Sequence, residues 1–336
     1  MFDSSNRSDA SRYPEAQSER DAWIRALRPN LEERRRSLPI DRPSAWLWES
    51  EPVGDGRERP VLTVFLTNRE CPWRCLMCDL WQQTRLDSVP PGAIPRQIDA
   101  ALSQAGSIPA GTRLKLYNAG SFFDPGAIPT VDHVAIADRC RGFDRVLVEC
   151  HPSLVGDGRR IREFAEQIAP ARLEVAMGLE TIHPEVLPKL NKRMTPEQFS
   201  DAAQVLKRIG VARRAFVLVQ PPFLPAGNAV EWAVRSAEFA FANGVEVVAL
   251  IPTRDGNGAM EMLRRSGEFT PPTLSLFEDA VDAAFQVGGG VLLADVWDLG
   301  RFSDNPTTFE ARRNRLEAMN RVQRILPRVG AANGLD

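Results

Sequence analysis

Long apolar runs are missing from this sequence. No stretch of about 18 apolar residues occurs, which predicts that no helix crosses a membrane. The N-terminal stretch MFDSSNRSDASRYPEAQSER is polar and has no apolar centre, so a secretory signal is not predicted. The net charge is only −2, which argues against a chain that is steered as a whole to nucleic acid. These features predict a cytoplasmic protein.

Cysteine and histidine are scarce, with five and three copies, so a disulfide scaffold is not predicted. Three of the cysteines, Cys71, Cys75 and Cys78, lie within the stretch CPWRCLMC at a C-x3-C-x2-C spacing. Cys140 and Cys150 are distant in sequence and are interpreted as buried core thiols. A close trio of thiols in a cytoplasmic chain indicates a metal site, and a missing fourth ligand is typical of a catalytic centre.

Two kinds of metal site fit three thiolates on one loop. Iron–sulfur clusters are held by cysteine thiolates at such spacings. A structural zinc ion needs a fourth ligand, and the three histidines are remote in sequence. Asp79 is the remaining candidate, but it directly follows the third cysteine and is badly placed to close a tetrahedron. The sequence favours the cluster and leaves zinc as the alternative.

The sequence also lacks a Gly-x-Gly-x-x-Gly turn and any short internal repeat. Short apolar runs instead alternate with helical patterns. The runs predict strands at 61–67, 113–118, 144–150, 172–180, 214–220 and 245–251, with a seventh at 290–299. This alternation predicts an α/β fold, a partial (β/α)6 or near-complete (β/α) TIM-like barrel of parallel strands with helical N- and C-terminal extensions.

The predicted elements divide the chain into three segments. Residues 1–57 form an N-terminal extension, disordered over residues 1–18 and helical over 19–37. Arg34, Arg35 and Arg36 at the end of this helix are interpreted as a solvated face, with a nucleic-acid contact as the alternative. Residues 58–270 form the core barrel. Residues 271–336 form a helical C-terminal extension that is able to complete the barrel. Its last helix, over 306–328, is rich in arginine, and this basic face is interpreted as either solvated or an RNA contact.

A C-x3-C-x2-C loop directly after the first strand of such a barrel resembles the radical S-adenosylmethionine (radical SAM) superfamily. The resemblance implies that Cys71, Cys75 and Cys78 ligate three irons of one [4Fe-4S] cluster, while the fourth iron binds the amino and carboxylate groups of SAM. It also implies that the reduced cluster cleaves SAM to a 5′-deoxyadenosyl radical, which abstracts hydrogen from a substrate. The electron would come from a flavodoxin- or ferredoxin-type reductant. Because further clustered cysteines are missing, the chain resembles the mono-cluster members.

The resemblance further implies a set of SAM contacts at the carboxyl ends of the strands. Met77 stands where the family usually has an aromatic residue, and Ala119 replaces one glycine of the turn after the second strand. Glu149 and Glu180 end the third and fourth strands, where an ion pair or a helix cap is the alternative role for each. The implied contacts are Met77, Asn118, Gly120, Ser121, Glu149, Glu180 and Gln220. For Gly120 the alternative is a plain turn glycine.

The sequences at the ends of the strands narrow the resemblance to one branch of the superfamily. The stretches YNAGSFFD, VECHPSLV and MGLETIHPEVLPKLNKRMT resemble the branch that contains the archaeosine synthase radical subunit and, more distantly, the elongator catalytic subunit. That branch modifies tRNA, so a tRNA nucleobase derivative is one candidate substrate, beside a small molecule or a peptide. A non-catalytic iron–sulfur or zinc scaffold is the alternative from a different functional class.

Overall fold

One sheet organises the molecule, and the computed structural model describes residues 12–54 and 56–330 of the chain. Within those residues, eight strands follow one another across the sheet in sequence order. The strands are β1 Ala45–Pro52, β2 Glu58–Phe65, β3 Arg113–Tyr117, β4 Arg145–Glu149, β5 Arg172–Glu180, β6 Ala212–Val219, β7 Val247–Pro252 and β8 Val291–Ala294. β1 is antiparallel to β2, and every later neighbouring pair is parallel.

The predicted α/β class and partial barrel are confirmed. All seven predicted strands are present as β2 to β8. The sheet is strongly curled. Arg214 Nη2 on β6 lies 2.7 Å from Glu51 Oε1 on β1, although four strands separate β6 from β1 in the sheet. The parallel strands place their carboxyl ends, and the loops that follow, at one end of this partial barrel.

Helices cover the outside of the sheet. They are α1 Gln17–Leu27, α2 Glu32–Ser37, α3 Ala93–Ala105, α4 His133–Cys140, α5 Arg159–Gln167, α6 Val186–Lys189, α7 Pro196–Arg208, α8 Ala229–Ala242, α9 Ala259–Ser266, α10 Leu274–Phe285 and α11 Phe309–Val322. Thr195 and Gln198 form a reciprocal capping box that starts α7. None of the helices in residues 12–54 and 56–330 is both long and apolar enough to cross a bilayer.

The strand β1 was not predicted. The stretch 39–60 is rich in proline and glycine, and this composition predicts an extended lead-in. It is extended, but residues 45–52 also pair with β2 over their whole length, from Ala45 opposite Phe65 to Pro52 opposite Glu58. Proline at the end of an edge strand costs no ladder hydrogen bond, so the composition was compatible with a strand after all.

The N-terminal segment differs from its prediction in two ways. The disorder predicted for residues 1–11 lies outside the described residues. Tyr13, within the remaining part of that prediction, is buried, and its hydroxyl donates to Lys189 O at 2.6 Å. The single helix predicted over 19–37 is divided into α1 and α2, because Pro29 disfavours helical geometry at Arg28, which is extended.

The C-terminal segment adds both helices and a strand. β8 extends the parallel sheet beyond β7, so residues 271–330 are part of the barrel. The helix predicted over 306–328 is shorter, since α11 ends at Val322 and Gln323 adopts a left-handed conformation with φ 52°.

A buried network of charges fills the barrel near the amino ends of the strands. Arg214 lies between Glu51 and Glu174, with a distance of 2.7 Å to each carboxylate. Lys115 Nζ lies 2.7 Å from Glu51 Oε2. Burial opposes ionisation of Glu51, but Arg214 and Lys115 lower its pKa below the ordinary value. These paired charges close the floor of the barrel, so the open space lies at the opposite end.

Candidate active site

A cavity of about 300 Å³ lies at the carboxyl ends of the strands. Cys71, Cys75 and Cys78 line it from the loop after β2. The other walls come from the turns after β3, β4 and β7, from β5 and β6, and from Lys192 on the connection between these two strands. Of the residues implied by the resemblance, Met77, Gly120, Ser121, Glu149 and Glu180 line the same cavity. Residues separated by more than a hundred positions are thus brought to one site.

The three thiols are half-buried, and the protein alone does not favour their ionised form. Burial raises the pKa of Cys71 to about 12 and raises the pKa values of Cys75 and Cys78 above the ordinary range. Thiolate ligation therefore needs the positive charge of a metal centre to compensate for the loss of solvent.

The donor set fits a cluster better than a single ion. Within residues 12–54 and 56–330, no group of three or more His, Cys, Asp or Glu side chains is placed to hold one metal ion. A zinc site needs its ligands to converge on one point. In a [4Fe-4S] cluster each cysteine binds a different iron, so the thiols of Cys71, Cys75 and Cys78 do not have to converge.

Glu70, which precedes the first cysteine, is surrounded by three arginines. Arg28 Nη1 donates to one carboxylate oxygen at 2.7 Å, and Arg35 Nη2 donates to the other at 2.9 Å. Arg74 Nε lies 3.3 Å from Glu70 Oε1. Arg28 also stacks over the buried Trp81, with 4.4 Å between the guanidinium carbon and the ring centroid. The N-terminal helices thus hold the start of the cysteine loop.

Two buried asparagines fix the backbone of the same loop. Asn257 Nδ2 donates to Leu76 O at 2.8 Å and to Cys78 O at 3.1 Å. Asn191 Nδ2 donates to Arg74 O at 2.7 Å. Sequence reasoning missed both residues as parts of the site. The stretch 190–192 carried a motif resemblance, but no local pattern marks Asn257.

The turn after β3 lies directly against the first cysteine. A Cβ atom at Gly120 would lie 3.2 Å from Cys71 Cβ and 3.7 Å from its Cα. Glycine therefore permits this close approach. Ser121 Oγ accepts a hydrogen bond from the His151 backbone N–H at 2.7 Å, which joins this turn to the one after β4.

Glu149 and Glu180 have different environments although both line the cavity. Glu180 Oε1 accepts a hydrogen bond from Lys192 Nζ at 2.6 Å, so the ion-pair role named as the alternative is present in the structure. Glu149 Oε2 is buried and has no hydrogen-bond partner in the described chain. Burial raises the pKa of Glu149 to about 7. Glu149 is the carboxyl group that is available to a ligand.

Asn118 and Gln220 do not line the cavity. Both are buried behind its wall, where the Asn118 side-chain amide has no partner among the described residues. Gln220 Nε2 donates to Leu224 O at 3.1 Å. The backbone at Gln220 is left-handed, with φ 59°. Their implied contacts with SAM stay predictions.

Aromatic stacking encloses one side of the cavity. Trp73, from the cysteine loop, stacks on His151 with ring centroids 4.0 Å apart and 10° between the planes. His151 Nε2 donates to Lys192 O at 3.0 Å. Burial and Lys192 lower the pKa of His151 to about 3, so the ring is neutral. Cys150, interpreted as a remote core thiol, lies on the same cavity wall and donates to His151 O at 3.3 Å.

The arginine-rich tail helix is not a free basic surface. Arg312 and Arg315 are buried and both pair with Glu278, at 2.7 Å and 3.2 Å. Arg321 lies 2.8 Å from Glu58. These three arginines join α11 to α10 and to the sheet, so they are paired within the protein, and the RNA-contact interpretation of this helix stays a prediction.

No family model matches the chain. Over 248 residues it is 27% identical to archaeosine synthase subunit beta of Methanosarcina acetivorans, which covers 70% of each protein. Over 198 residues it is 26% identical to the subunit of the same name from Thermococcus kodakarensis, covering 56% of this chain and 61% of that protein.

Among solved structures, archaeal Elp3 of Methanocaldococcus infernus aligns with 66% of this chain and 58% of its own, at 16% identity and a TM-score of 0.49. The chain therefore spans less than two thirds of that structure and of the Thermococcus protein. The chain is similar to archaeosine synthase subunit beta over 70% of its length, which agrees with the branch resemblance drawn from its sequence.

Proposed function

We propose that this chain is a mono-cluster radical SAM enzyme whose [4Fe-4S] cluster is bound by Cys71, Cys75 and Cys78. One observation carries the proposal: the three thiols share a cavity with Glu149, a buried carboxyl group whose Oε2 has no partner in the described chain. An unpaired buried carboxylate favours a ligand that brings a positive charge or hydrogen-bond donors. SAM offers both.

The residues that line the cavity have different roles in the proposed reaction. When bound and reduced, the cluster supplies the electron that breaks a carbon–sulfur bond of SAM. Glu149 would accept hydrogen bonds from the ammonium or ribose hydroxyl groups. Gly120 gives a ligand access to the backbone beside Cys71. The stacked Trp73 and His151 exclude water from one side, which protects a reactive intermediate.

A tRNA nucleobase derivative is the substrate class that we propose. The similarity to archaeosine synthase subunit beta supports it. So does Trp297, which follows β8 and is 66% exposed. Arg254 lines the cavity and donates to the backbone carbonyl of Trp297 at 2.5 Å and to Asp295 at 2.7 Å, which joins the segment after β8 to the cavity wall. An exposed indole is a stacking surface for a base.

Anaerobic reconstitution tests the cluster assignment. The wild-type chain is expected to bind about four irons and to cleave SAM after reduction by dithionite or by a flavodoxin- or ferredoxin-type protein. Cys75→Ala should lose iron and SAM cleavage together, whereas Cys140→Ala, at a buried thiol outside the cavity, should keep both. A wild-type chain that binds the cluster but leaves SAM intact would support the non-catalytic scaffold instead.

A gel-shift titration tests the substrate class. Trp297→Ala should weaken the binding of a tRNA transcript at low salt, since one stacking contact contributes roughly 1–3 kcal/mol. Trp48→Ala is the matched control, because Trp48 is 38% exposed but lies on β1, away from the cavity lining. Equal affinities for the two variants and the wild type would contradict the nucleobase proposal and leave the cluster assignment unaffected.

A further inference from the structure

A buried ion pair borders the cavity beside the cysteine loop. Lys192 Nζ lies 2.6 Å from Glu180 Oε1, and the two side chains are 9% and 10% exposed. Both residues line the same cavity as Cys71 and Cys75. We infer that this pair sets the reduction potential of the cluster, with Lys192 stabilising the reduced state and Glu180 opposing it. The inference rests on the proposed function, because it requires a cluster on the three thiols.

The backbone around Lys192 is fixed to the cysteine loop. Leu76 N–H donates to Leu190 O at 2.8 Å, and the Asn191 side chain donates to Arg74 O at 2.7 Å. The residues on both sides of Lys192 are left-handed, with φ 54° at Asn191 and 57° at Arg193. Non-glycine residues in this conformation cost energy and persist only where the surroundings hold them. The fold therefore fixes the position of the Lys192 ammonium group relative to the thiols.

The strand β5 is also shaped for the pair. Glu180 is left-handed with φ 65°, and the pairing of β5 with β6 shifts between Gly178 and Glu180. A Cβ atom at residue 178 would lie 2.2 Å from Glu180 Oε1 and 2.5 Å from Lys192 Nζ. Glycine at this position leaves the space that the two charged groups occupy.

The sign of the effect follows from the charges. Burial lowers the pKa of Lys192, but the paired Glu180 raises it above its ordinary value. The ammonium group thus stays charged beside the cavity that the three thiols line. Reduction adds one negative charge to the cluster, and charges and hydrogen bonds near the sulfurs determine its potential. Lys192 favours that added charge, and Glu180 disfavours it.

A redox titration monitored by electron paramagnetic resonance of the reconstituted holoprotein tests this inference. Lys192→Gln should shift the midpoint potential in the negative direction, and Glu180→Gln should shift it in the positive direction. The double variant should lie between the two. Lys189→Gln is the matched control, because Lys189 lies on the same connection but does not line the cavity. Shifts of the same sign, or none, for the two single variants would overturn the inference.

Two further outcomes keep the result decisive. If Lys192→Gln does not retain its cluster, Glu180→Gln alone decides: its potential should lie above that of the wild type, and a potential equal to or below the wild-type value would overturn the inference. A wild-type chain that binds no [4Fe-4S] cluster would instead refute the proposed function. A wild-type cluster with unchanged potentials in all variants would refute only the role of the pair.

Discussion

Arg35 of α2 donates from Nη2 to Glu70 Oε2 at 2.9 Å, one residue before the first cysteine of the cluster motif. Arg35 is buried, and its Nε also donates to Thr84 O at 2.9 Å. The solvated face predicted for arginines 34–36 is therefore wrong at this position. The N-terminal helices support the cysteine loop rather than standing apart from it.

Replacing Arg35 should loosen the cluster site. Arg35→Met keeps much of the side-chain length but removes a charged donor from Glu70. We expect the reconstituted cluster to lose iron to a chelator roughly tenfold faster, the scale seen when a group that orients a metal ligand is removed. Arg36→Met is the control, because Arg36 is exposed and faces only Glu32 at 3.8 Å. Identical rates of iron loss in the two variants would count against this support.

The close contact between α9 and the end of α1 gives a second prediction. A Cβ atom at Gly258 would lie 1.9 Å from Leu27 O. Gly258→Ala should therefore separate the two helices and lower the free energy of unfolding by roughly 1–3 kcal/mol more than Gly267→Ala. Gly267 also has a positive φ, but it lies in the αL region with ψ 6°, whereas Gly258 has ψ −46°, and no atom lies within 4 Å of a Cβ added at Gly267. Urea unfolding of both variants therefore measures the clash together with the greater backbone strain at Gly258, and equal losses would show that neither is important.

The buried carboxyl group of Glu149 predicts a pH-dependent stability of the chain without cofactors. Its pKa is raised from 4.5 to about 7 by burial, so its contribution to stability is fully present below about pH 4.5 and is lost as the pH rises through about 7. Glu149→Gln has no such proton to lose. Between about pH 5 and about pH 8, the free energy of unfolding should fall by roughly 3 kcal/mol less in this variant than in the wild type.

Glu163→Gln serves as the control for that comparison, because Glu163 is exposed on α5. Its pH profile should match the wild-type profile. A Glu149→Gln profile parallel to the wild type would mean that this carboxyl group is already ionised in the folded chain.

The arginines of α11 should affect stability rather than RNA affinity. Arg315 Nη2 donates to Asp282 at 2.7 Å, in addition to its buried pair with Glu278. Arg315→Met leaves Glu278 less well paired and should cost roughly 3–5 kcal/mol in urea unfolding. Arg313→Met, at a half-buried residue that lies 3.2 Å from Glu310 and 3.7 Å from Glu317 on the same helix, should change stability by less than about 1 kcal/mol. A stable Arg315→Met variant with weakened tRNA binding would support the RNA-contact interpretation.

The repeating parts of the fold and the position of the site were predictable. Strand periodicity located all seven parallel strands, because each is a short buried run bounded by turns. The cysteine spacing located the site, because the ligands of one cluster must lie on one loop. Placing that loop after β2 then brought Gly120 and Glu149 to the same cavity by the topology of the barrel alone.

What could not be predicted depends on partners that are distant in sequence. Asn257 fixes the cysteine loop from 181 residues away, and no local pattern distinguishes it from a surface asparagine. Glu180 was named from its place at a strand end and Lys192 belongs to the motif at 190–192, but their pairing was not predicted. Arg315 resembles a solvated residue until Glu278 is placed beside it. The sequence shows which side chains are charged, but only the structure shows which of them are paired with an opposite charge.

The floor of the barrel also has a consequence for the order in which the chain is made. Glu51 lies 163 residues before its partner Arg214. On a ribosome, β1 and β2 emerge long before β6, so the first partners of Glu51 to be synthesised are Arg113 and Lys115. Closing the floor without Arg214 would bury charges that lack their full pairing. The hairpin of β1 and β2 is therefore among the first elements to be synthesised, but its ion pair with β6 is among the last contacts to form.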